Sequence, residues 1–512
     1  MKRVFSLLVL CLVAANTWSQ DQADTNTESQ DVTGSWYGRI SVMGHNLRLS
    51  FHISNEDGNY SATMDSPDQK AFGIPMQSAT YEDQVLILKV SNITYTAKLD
   101  SAGNLDGEFK QAAIKTGLYM THQPLTDSTD QKVRRPQEPR PPFPYQSEEV
   151  RFKGGGDYQL AGTIFKPRKG KNPPIAVFIS GSGAQNRDQE LFDHKPFLVV
   201  ADYLARKGIA SLRYDDRGTA ESGGNQYEGS SYENALDAAA AVDFLKASGY
   251  RQIGLIGHSE GGLIAPMVAS IDSGIAFIVS LAGPGVTGAE IIKKQSFDIA
   301  KAEGTAGDTL EVQTILAEYI FDRMAALPEN EPDSIAGIIE GALRQLNPEQ
   351  SEIALGGMSR EEYIQASVQQ LGEEWMFHFL SFDPAQAWKE VSCPVLALNG
   401  EKDLQVNADI NLAAIQQALT EGKNPKLTTI KYPNLNHLFQ NANTGSPSEY
   451  ANIEETFSSK VLRDISKFIR KSTGMHQRTK LFIDGGIAAL LLILLFVVLK
   501  KHRKKTTDSP NV

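Results

Sequence analysis

Cysteine is nearly absent from this chain, which has two in 512 residues, Cys11 and Cys393. Because Cys11 falls in an N-terminal segment that we predict to be removed, no disulfide can form within the mature chain. The sequence also lacks a cluster of Cys and His at metal-ligand spacing. We therefore expect no disulfide, no metal and no cofactor.

Positive charge is also in short supply, with 50 Lys and Arg against 61 Asp and Glu, a formal net charge of −11. A nucleic-acid-binding protein usually presents a basic face, so we expect no nucleic-acid partner. The hydrophobic fraction of 41% and charged fraction of 22% are those of a globular protein. A chain of this length is expected to form more than one domain.

The two ends of the chain carry apolar segments. Residues 1–20 have a basic start and a short apolar run, which predicts a signal peptide, with an uncleaved anchor as the alternative. Residues 481–499 are apolar except for Asp484 and precede a basic tail, residues 500–512. This pattern predicts one transmembrane helix and a cytoplasmic tail, with a buried core helix as the alternative. We therefore expect a single-pass, membrane-anchored protein whose globular part is periplasmic or extracellular.

Residues 21–123 are predicted to form a small β-barrel or sandwich. Val85–Val90 and Thr94–Leu99 are short runs of strand character, and 101–104 is predicted to be a hairpin loop. The triplet Gly34-Ser35-Trp36 resembles the opening of lipocalin-like barrels. A ligand-binding barrel and an accessory module both remain open, and we favour the accessory module. Residues 124–145 contain six prolines and are predicted to be an extended, semi-rigid linker.

Residues 146–472 alternate between apolar strand-like runs and helical patterns, which predicts a mostly parallel, doubly wound α/β domain. An opening pair of strands is expected within 149–165. Six further runs have strand character: Ile175–Ser180, Ile209–Tyr214, Ile253–Gly257, Ala276–Leu281, Val395–Asn399 and Thr428–Tyr432. About 100 residues of helical pattern, 287–389, separate two of these strands. A normal crossover needs far fewer residues, so this segment is predicted to be an inserted helical cap.

The segment Gly257-His258-Ser259-Glu260-Gly261 is the only G-x-S-x-G sequence in the chain. It follows a predicted strand and precedes a helical run, as a nucleophile elbow does. In such an elbow the turn is too tight for side chains at the two glycines. Ser259 is therefore the predicted nucleophile, with an inert serine in a glycine-rich turn as the alternative.

A serine hydroxyl becomes a good nucleophile when a base removes its proton. In this kind of domain the chain order is serine, acid, histidine. Four histidines follow Ser259, and His437, in a loop just after the last predicted strand, is the predicted base. His476 and His502 flank or follow the membrane segment, and His378 is interpreted as a packed core histidine of the cap.

The acid that orients the histidine is expected in the loop after the strand at 395–399. Asp403 is our choice because it lies beyond the turn at Gly400, and Glu401 is the alternative. Asp409 is expected to begin the next helix. The oxyanion needs two backbone N–H donors, which we assign to Glu260 and to Ser182 in a glycine-rich loop after the first parallel strand.

Four segments together resemble bacterial α/β-hydrolase esterases, typified by thermophilic carboxylesterases with a β-rich N-terminal extension. They are residues 180–188, residues 213–218, residues 257–262 and residues 398–403. Two departures are Ser180, where relatives often have histidine, and Ala220, where a glycine is common. The resemblance implies an α/β-hydrolase fold and hydrolysis of carboxylic esters, often with short acyl chains, without a cofactor.

The predicted function is therefore a serine hydrolase that acts on a small-molecule ester through Ser259, His437 and Asp403. One alternative keeps this machinery for an amide or peptide bond, as a serine aminopeptidase or amidase would. Another is a non-catalytic surface binding protein. Arg187 and Asp188 either contact substrate or hold the oxyanion loop, and we favour the second interpretation.

Overall fold

The computed structural model describes residues 31–42, 45–67, 71–90, 93–111, 114–125, 133–168, 170, 172–226 and 229–475. The predicted signal peptide and the predicted membrane helix with its basic tail lie outside these ranges. Within the described part of the chain, no helix has both the length and the apolar character needed to span a bilayer.

The N-terminal region is one continuous antiparallel sheet of nine strands, where the sequence left a barrel or a sandwich open. The strands are β1 Gly34–Val42, β2 His45–Glu56, β3 Asn59–Ser66, β4 Ala71–Pro75, β5 Ser78–Glu82, β6 Val85–Val90, β7 Ile93–Leu99, β8 Leu105–Gln111 and β9 Ile114–Thr121. Their order is β4-β3-β2-β1-β9-β8-β7-β6-β5. Alternate residues point to one face, as the period of a strand requires, and that face is filled by buried large side chains, among them Trp36, Phe51, Tyr95 and Phe109.

The second sheet has eight strands in the order β10-β11-β13-β12-β14-β15-β16-β17. They are β10 Gln146–Lys153, β11 Gln159–Lys166, β12 Ile175–Ile179, β13 Ala210–Tyr214, β14 Ile253–His258, β15 Ile278–Leu281, β16 Val395–Gly400 and β17 Leu427–Tyr432. Strands β10 and β11 are antiparallel to their neighbours, and the others pair in parallel. The mostly parallel α/β sheet predicted from the alternation is confirmed.

Helices cover both faces of this sheet because its strands are apolar on both sides. In β12, Ile175, Val177 and Ile179 pack towards helices α2 and α3, whereas Ala176 and Phe178 pack towards α1. The bounding helices are α1 Pro196–Arg206, α2 Ser231–Ala247, α3 Glu260–Ile271, α11 Ala408–Glu421 and α12 Ser459–Ser472. Residues of α11 join the first layer and residues of α12 the second.

Seven helices lie between β15 and β16, in the segment predicted to be a cap. They are α4 Gly288–Ala302, α5 Gly307–Ala325, α6 Pro332–Leu343, α7 Pro348–Leu355, α8 Arg360–Leu371, α9 Glu374–Ser381 and α10 Pro384–Glu390. Helices α4 to α9 contribute to a hydrophobic core of their own. Helix α10 instead returns to the sheet, where Trp388 is fully buried.

The described part of the predicted linker, 133–145, lies against the α/β domain. Arg135 and Gln137 donate hydrogen bonds to backbone carbonyls in loops of that domain. Tyr145 is buried beside Phe165 of β11, with ring centroids 4.7 Å apart. The prolines keep this segment out of helix and sheet, as expected, but its polar side chains attach it to the domain that follows.

Candidate active site

Ser259 stands at a sharp turn between β14 and α3. Its φ is +54°, in the left-handed region that non-glycine residues rarely occupy. A Cβ built on Gly257 would lie 1.9 Å from the carbonyl oxygen of Gly261, and one built on Gly261 would lie 2.1 Å from that of Ile179. Both positions therefore require glycine, which is the physical reason for the sequence pattern. The strained turn places Ser259 at the carboxyl edge of the sheet.

His437 and Asp403 form a buried pair at the same edge. Nδ1 of His437 lies 2.8 Å from Oδ2 of Asp403. The other carboxylate oxygen accepts the backbone N–H groups of Gln405 and Val406, each at 2.9 Å. Because a carboxylate is bound at Nδ1, that nitrogen carries the proton and Nε2 presents a lone pair. This is the tautomer that a general base needs.

Ser259 and His437 line one cavity of about 270 Å³ between the sheet edge and the cap. Among the hydrogen bonds of the described residues, none joins the Ser259 hydroxyl to His437. Catalytic hydrogen bonds are often long in a ligand-free enzyme and tighten when substrate binds. The arrangement brings the two groups to one cavity.

The two expected oxyanion donors also lie at this cavity. Ser182 and Glu260 both line it. A Cβ built on Gly181 would be 3.2 Å from Cβ of Ser259, so the glycine-rich loop runs directly beside the serine. In the described residues, neither the Ser182 N–H nor the Glu260 N–H is taken up by a backbone acceptor. Both N–H groups therefore stay candidates for binding an anionic oxygen.

Asp216 anchors the loop that contains Ser182. It accepts the Ser180 hydroxyl at 2.6 Å and the Gln185 N–H at 2.9 Å. Ser180 is the residue that departs from the family pattern, and this bond is its consequence. Burial raises the pKa of Asp216 to about 7, although the two hydrogen bonds oppose that shift. The other departure, Ala220, is exposed in a turn with φ +48°, which explains why a glycine is common there.

Arg187 and Asp188 hold the same loop from its far side, as favoured from the sequence. Arg187 binds both carboxylate oxygens of Asp215, through Nε at 3.1 Å and Nη2 at 2.6 Å. Asp188 pairs with the buried Arg213. Neither residue lines the cavity, so their place in the structure is that of an ion-paired support.

His258 is a supporting residue that the sequence did not reveal. Its Nε2 donates to the carbonyl oxygen of His437 at 3.0 Å, and its Nδ1 accepts from Nε2 of Gln189 at 2.6 Å. Burial lowers the pKa of His258 to about 3, so it stays neutral. His258, at the first x of the G-x-S-x-G sequence, thus supports the backbone of His437, the predicted base. No pattern along the chain pairs Gln189 with this histidine.

The side chain of Glu260 joins the elbow to the cap. Although only 2% exposed, its Oε1 accepts the Ser231 hydroxyl at 2.6 Å and the indole N–H of Trp375 at 3.0 Å. Trp375 belongs to cap helix α9 and stacks on Phe379, with centroids 5.0 Å apart. A buried carboxylate is stabilised by such donors, and here one donor comes from the helical insertion.

Apolar side chains from the cap and from four other segments form most of the cavity wall. They include Ile291, Ile299, Phe321, Leu371, Trp375, Met376, Phe379, Leu191, Phe192, Val406, Leu438 and Tyr450.

The expectation that His378 is a packed core residue is wrong. Its side chain is 52% exposed, because α9 turns Phe377 and Phe379 inwards and His378 outwards.

Three comparisons relate the chain to known proteins. The model of a family described as the alpha/beta hydrolase family matches residues 176–452. Esterase EstD of Thermotoga maritima is 26% identical over 322 residues, which is 57% of this chain and 71% of that protein. Similar solved structures include an esterase of Pyrococcus furiosus, at 15% identity and a TM-score of 0.38, covering 67% of this chain and 98% of that one. A proline iminopeptidase of Mycobacterium smegmatis is 13% identical with a TM-score of 0.38, covering 64% of this chain and 98% of that one.

Proposed function

The chain belongs to the alpha/beta hydrolase family, and on that premise we propose that it is a serine esterase acting on small, uncharged carboxylic esters. The observation that carries the proposal is the meeting of Ser259 with the His437–Asp403 pair at one apolar cavity. The relative EstD, named an esterase, supports the same activity.

In the proposed mechanism, Ser259 attacks the ester carbonyl while Nε2 of His437 takes its proton. Asp403 keeps the imidazole in the required tautomer and stabilises the imidazolium that forms. The N–H groups of Ser182 and Glu260 bind the oxygen on which negative charge develops. His437 then protonates the leaving alcohol, and water repeats the cycle on the acyl-enzyme with Ser259 as the leaving group.

The cavity wall indicates the substrate class. Its volume of about 270 Å³ lies at the lower end of ligand pockets, which favours short acyl chains. Its lining is largely apolar, so an uncharged acyl group would be desolvated at little cost. We therefore propose a preference for aliphatic esters with short acyl chains.

An aminopeptidase activity is the less favoured alternative. Recognition of a free α-amino group needs a nearby carboxylate, because a buried ammonium must be paired. Glu260 is the one acidic residue that lines the cavity in the described part of the chain. Its Oε1 already accepts Ser231 and Trp375. An ester has no ammonium group, so it needs no carboxylate in the cavity.

Hydrolysis of nitrophenyl esters from acetate to long acyl chains, by the wild type and by Ser259→Ala, tests the proposal. We expect turnover of short esters that falls by at least about 10³-fold in the variant, since the oxyanion donors alone leave little catalysis. Full turnover by Ser259→Ala would refute the assignment of the nucleophile. Absence of ester turnover with cleavage of aminoacyl amides would favour the alternative.

The membrane location remains a prediction from the sequence, because 1–20 and 481–512 lie outside the described residues. We propose that the enzyme is anchored with its catalytic domain on the periplasmic or extracellular side. Protease added to cells whose outer envelope has been opened, with the cytoplasmic membrane left intact, should then digest the domain. Protection that persists until the cytoplasmic membrane is lysed would contradict this location.

A further inference from the structure

A strained turn forms one wall of the substrate cavity. The backbone groups of Leu191 and His194 pair with each other at 3.0 and 2.8 Å. The two residues between them, Phe192 and Asp193, both have positive φ, +53° and +59°. Such a two-residue turn normally carries Asn, Asp or Gly, because Gly has no Cβ and the short side chains of Asn and Asp can hydrogen-bond locally, whereas a bulky side chain is crowded in this conformation. A phenylalanine there needs support from its surroundings.

Phe192 is one of the cavity-lining residues, as are Leu191 and Tyr450. Its ring packs edge-on against that of Tyr450, with centroids 5.4 Å apart and planes at 85°. Tyr450 lies in the short 3-10 helix Pro447–Asn452, which contributes to the same wall. The wall therefore consists of two loops whose relative position determines the space left for substrate.

One side chain from the segment before the α/β domain holds both loops. Arg135 donates to the carbonyl oxygens of Phe192 and Asp193, each at 3.2 Å, which are the two central carbonyls of the strained turn. It also donates to those of Ala451 and Ile453, at 2.7 and 2.8 Å, which flank the end of the second loop. A guanidinium presents several N–H donors in one plane, which suits four carbonyls around one point.

Two further groups extend this attachment. Gln137 donates to the carbonyl of Phe457 at 2.7 Å and accepts the N–H groups of Thr456 and Phe457 at 2.6 and 3.0 Å. Buried His194 makes contacts with Tyr450 O at 3.0 Å and Thr456 Oγ1 at 3.1 Å. Burial lowers the pKa of His194 to about 4, so a neutral imidazole makes these contacts near physiological pH.

We propose that Arg135 is a positioning residue for the substrate cavity, which makes the segment 133–137 part of the apparatus that selects the ester. Arg135 does not line the cavity itself and acts by holding the Phe192–Asp193 turn against 447–453. Without it, four carbonyls lose their donor and the turn can relax towards negative φ. Phe192 would then leave the wall, and the cavity would admit a different range of acyl chains. This inference rests on the proposed esterase function.

The test uses the full-length chain and the ratio of kcat/KM for nitrophenyl hexanoate to that for the acetate. We expect Arg135→Ala and Phe192→Ala to change this ratio in the same direction by about fivefold or more, and the double variant to add little, because residues acting through one contact are not additive. Arg140→Ala is the matched control, an exposed arginine elsewhere in 133–145, and should leave the ratio within about twofold.

A merely structural role would lower turnover of both esters equally and leave the ratio unchanged, and that result would overturn the proposal. If Arg135→Ala fails to fold, Arg135→Lys replaces it, since one ammonium cannot serve four carbonyls in a plane. Hydrogen exchange of the amides in 189–194 should be faster in Arg135→Ala and in Arg135→Lys than in the wild type, and unchanged in Arg140→Ala. Equal exchange in all forms would also refute the proposal. Hydrogen exchange can be measured without turnover. If the wild type had no esterase activity, the proposed function would be refuted, and the exchange result would still decide whether Arg135 holds the turn.

Discussion

The carboxyl edge of the second sheet and the helical cap form the two sides of the cavity, and they are built by different means. At the sheet edge, the proposed nucleophile stands on a short turn defined by backbone contacts, with Ser259 between Gly257 and Gly261. The cap side is apolar and rests on its own core. A hydrogen bond of 3.0 Å from Trp375 to Glu260 connects it to the elbow.

This difference teaches where chemistry and selectivity reside. Catalytic geometry tolerates little displacement, which agrees with the position of the proposed reacting groups on strand ends and tight turns. Substrate choice needs a surface of suitable shape, and side chains from separate helices and loops can provide it. Changes at the edge should therefore affect turnover of every ester, whereas changes in the cap should affect esters unequally.

The largest expected effect at the edge, after loss of Ser259 itself, is that of Asp403→Asn. An amide can present its N–H to Nδ1 and so favour the tautomer that cannot accept the serine proton, which lowers kcat by roughly 10⁴-fold. Steady-state kinetics with acetate and hexanoate esters measure the loss, which should be the same for both. Glu401→Gln is the control, because Glu401 is an exposed acid of the same loop. A large loss in Glu401→Gln with little in Asp403→Asn would reverse the assignment.

A pair of glycine substitutions compares the two regions directly. Gly261→Ala would place a Cβ 2.1 Å from a carbonyl oxygen of β12, and overpacking of this kind costs about 3 kcal/mol in the free energy of unfolding. Gly337→Ala in cap helix α6 meets no atom within 4 Å and should stabilise the chain by up to about 1 kcal/mol. Urea unfolding of both variants measures the two values. Equal effects would mean that the elbow is no more constrained than the cap.

The smallest expected effect is that of Trp375→Phe, which keeps an aromatic ring in the wall and removes the N–H donor to Glu260. The lost hydrogen bond is worth about 1 kcal/mol, so kcat/KM should fall roughly fivefold, more for long esters than for acetate. His378→Ala, at the exposed neighbouring face of α9, serves as the control. If Trp375→Phe lowered kcat/KM equally for both esters, the cap would affect the elbow and not the choice between esters.

The elbow was predictable from the sequence because every requirement lies within a few residues. Ile253–Gly257 was recognised as a buried strand, and the glycines around Ser259 are demanded by local backbone geometry. The strands of the second sheet were predicted to within a few residues because continuous apolar runs separate them. His437 and Asp403 were reached by chain order, and the structure places them 2.8 Å apart.

Other features were out of reach because they depend on partners distant along the chain. His258 supports His437 across 179 positions, and Trp375 reaches Glu260 across 115. His378 was wrongly predicted to be buried, because an apolar stretch does not indicate which face of a short helix packs inwards. The nine-stranded sheet needed long-range pairing, such as that of β1 with β9, to be distinguished from a sandwich.

The sequence by itself determined the α/β class, the elbow and the chain order of the predicted reacting residues, because these follow from local periodicity and from turns that only glycine permits. Only the tertiary structure decided how the cavity is enclosed and what supports it. Arg135 lies 318 positions from Ile453 along the chain, yet it donates to the carbonyl of that residue. Such contacts arise from packing between segments that carry no mutual signal in sequence, and their consequences appear when the chain is folded.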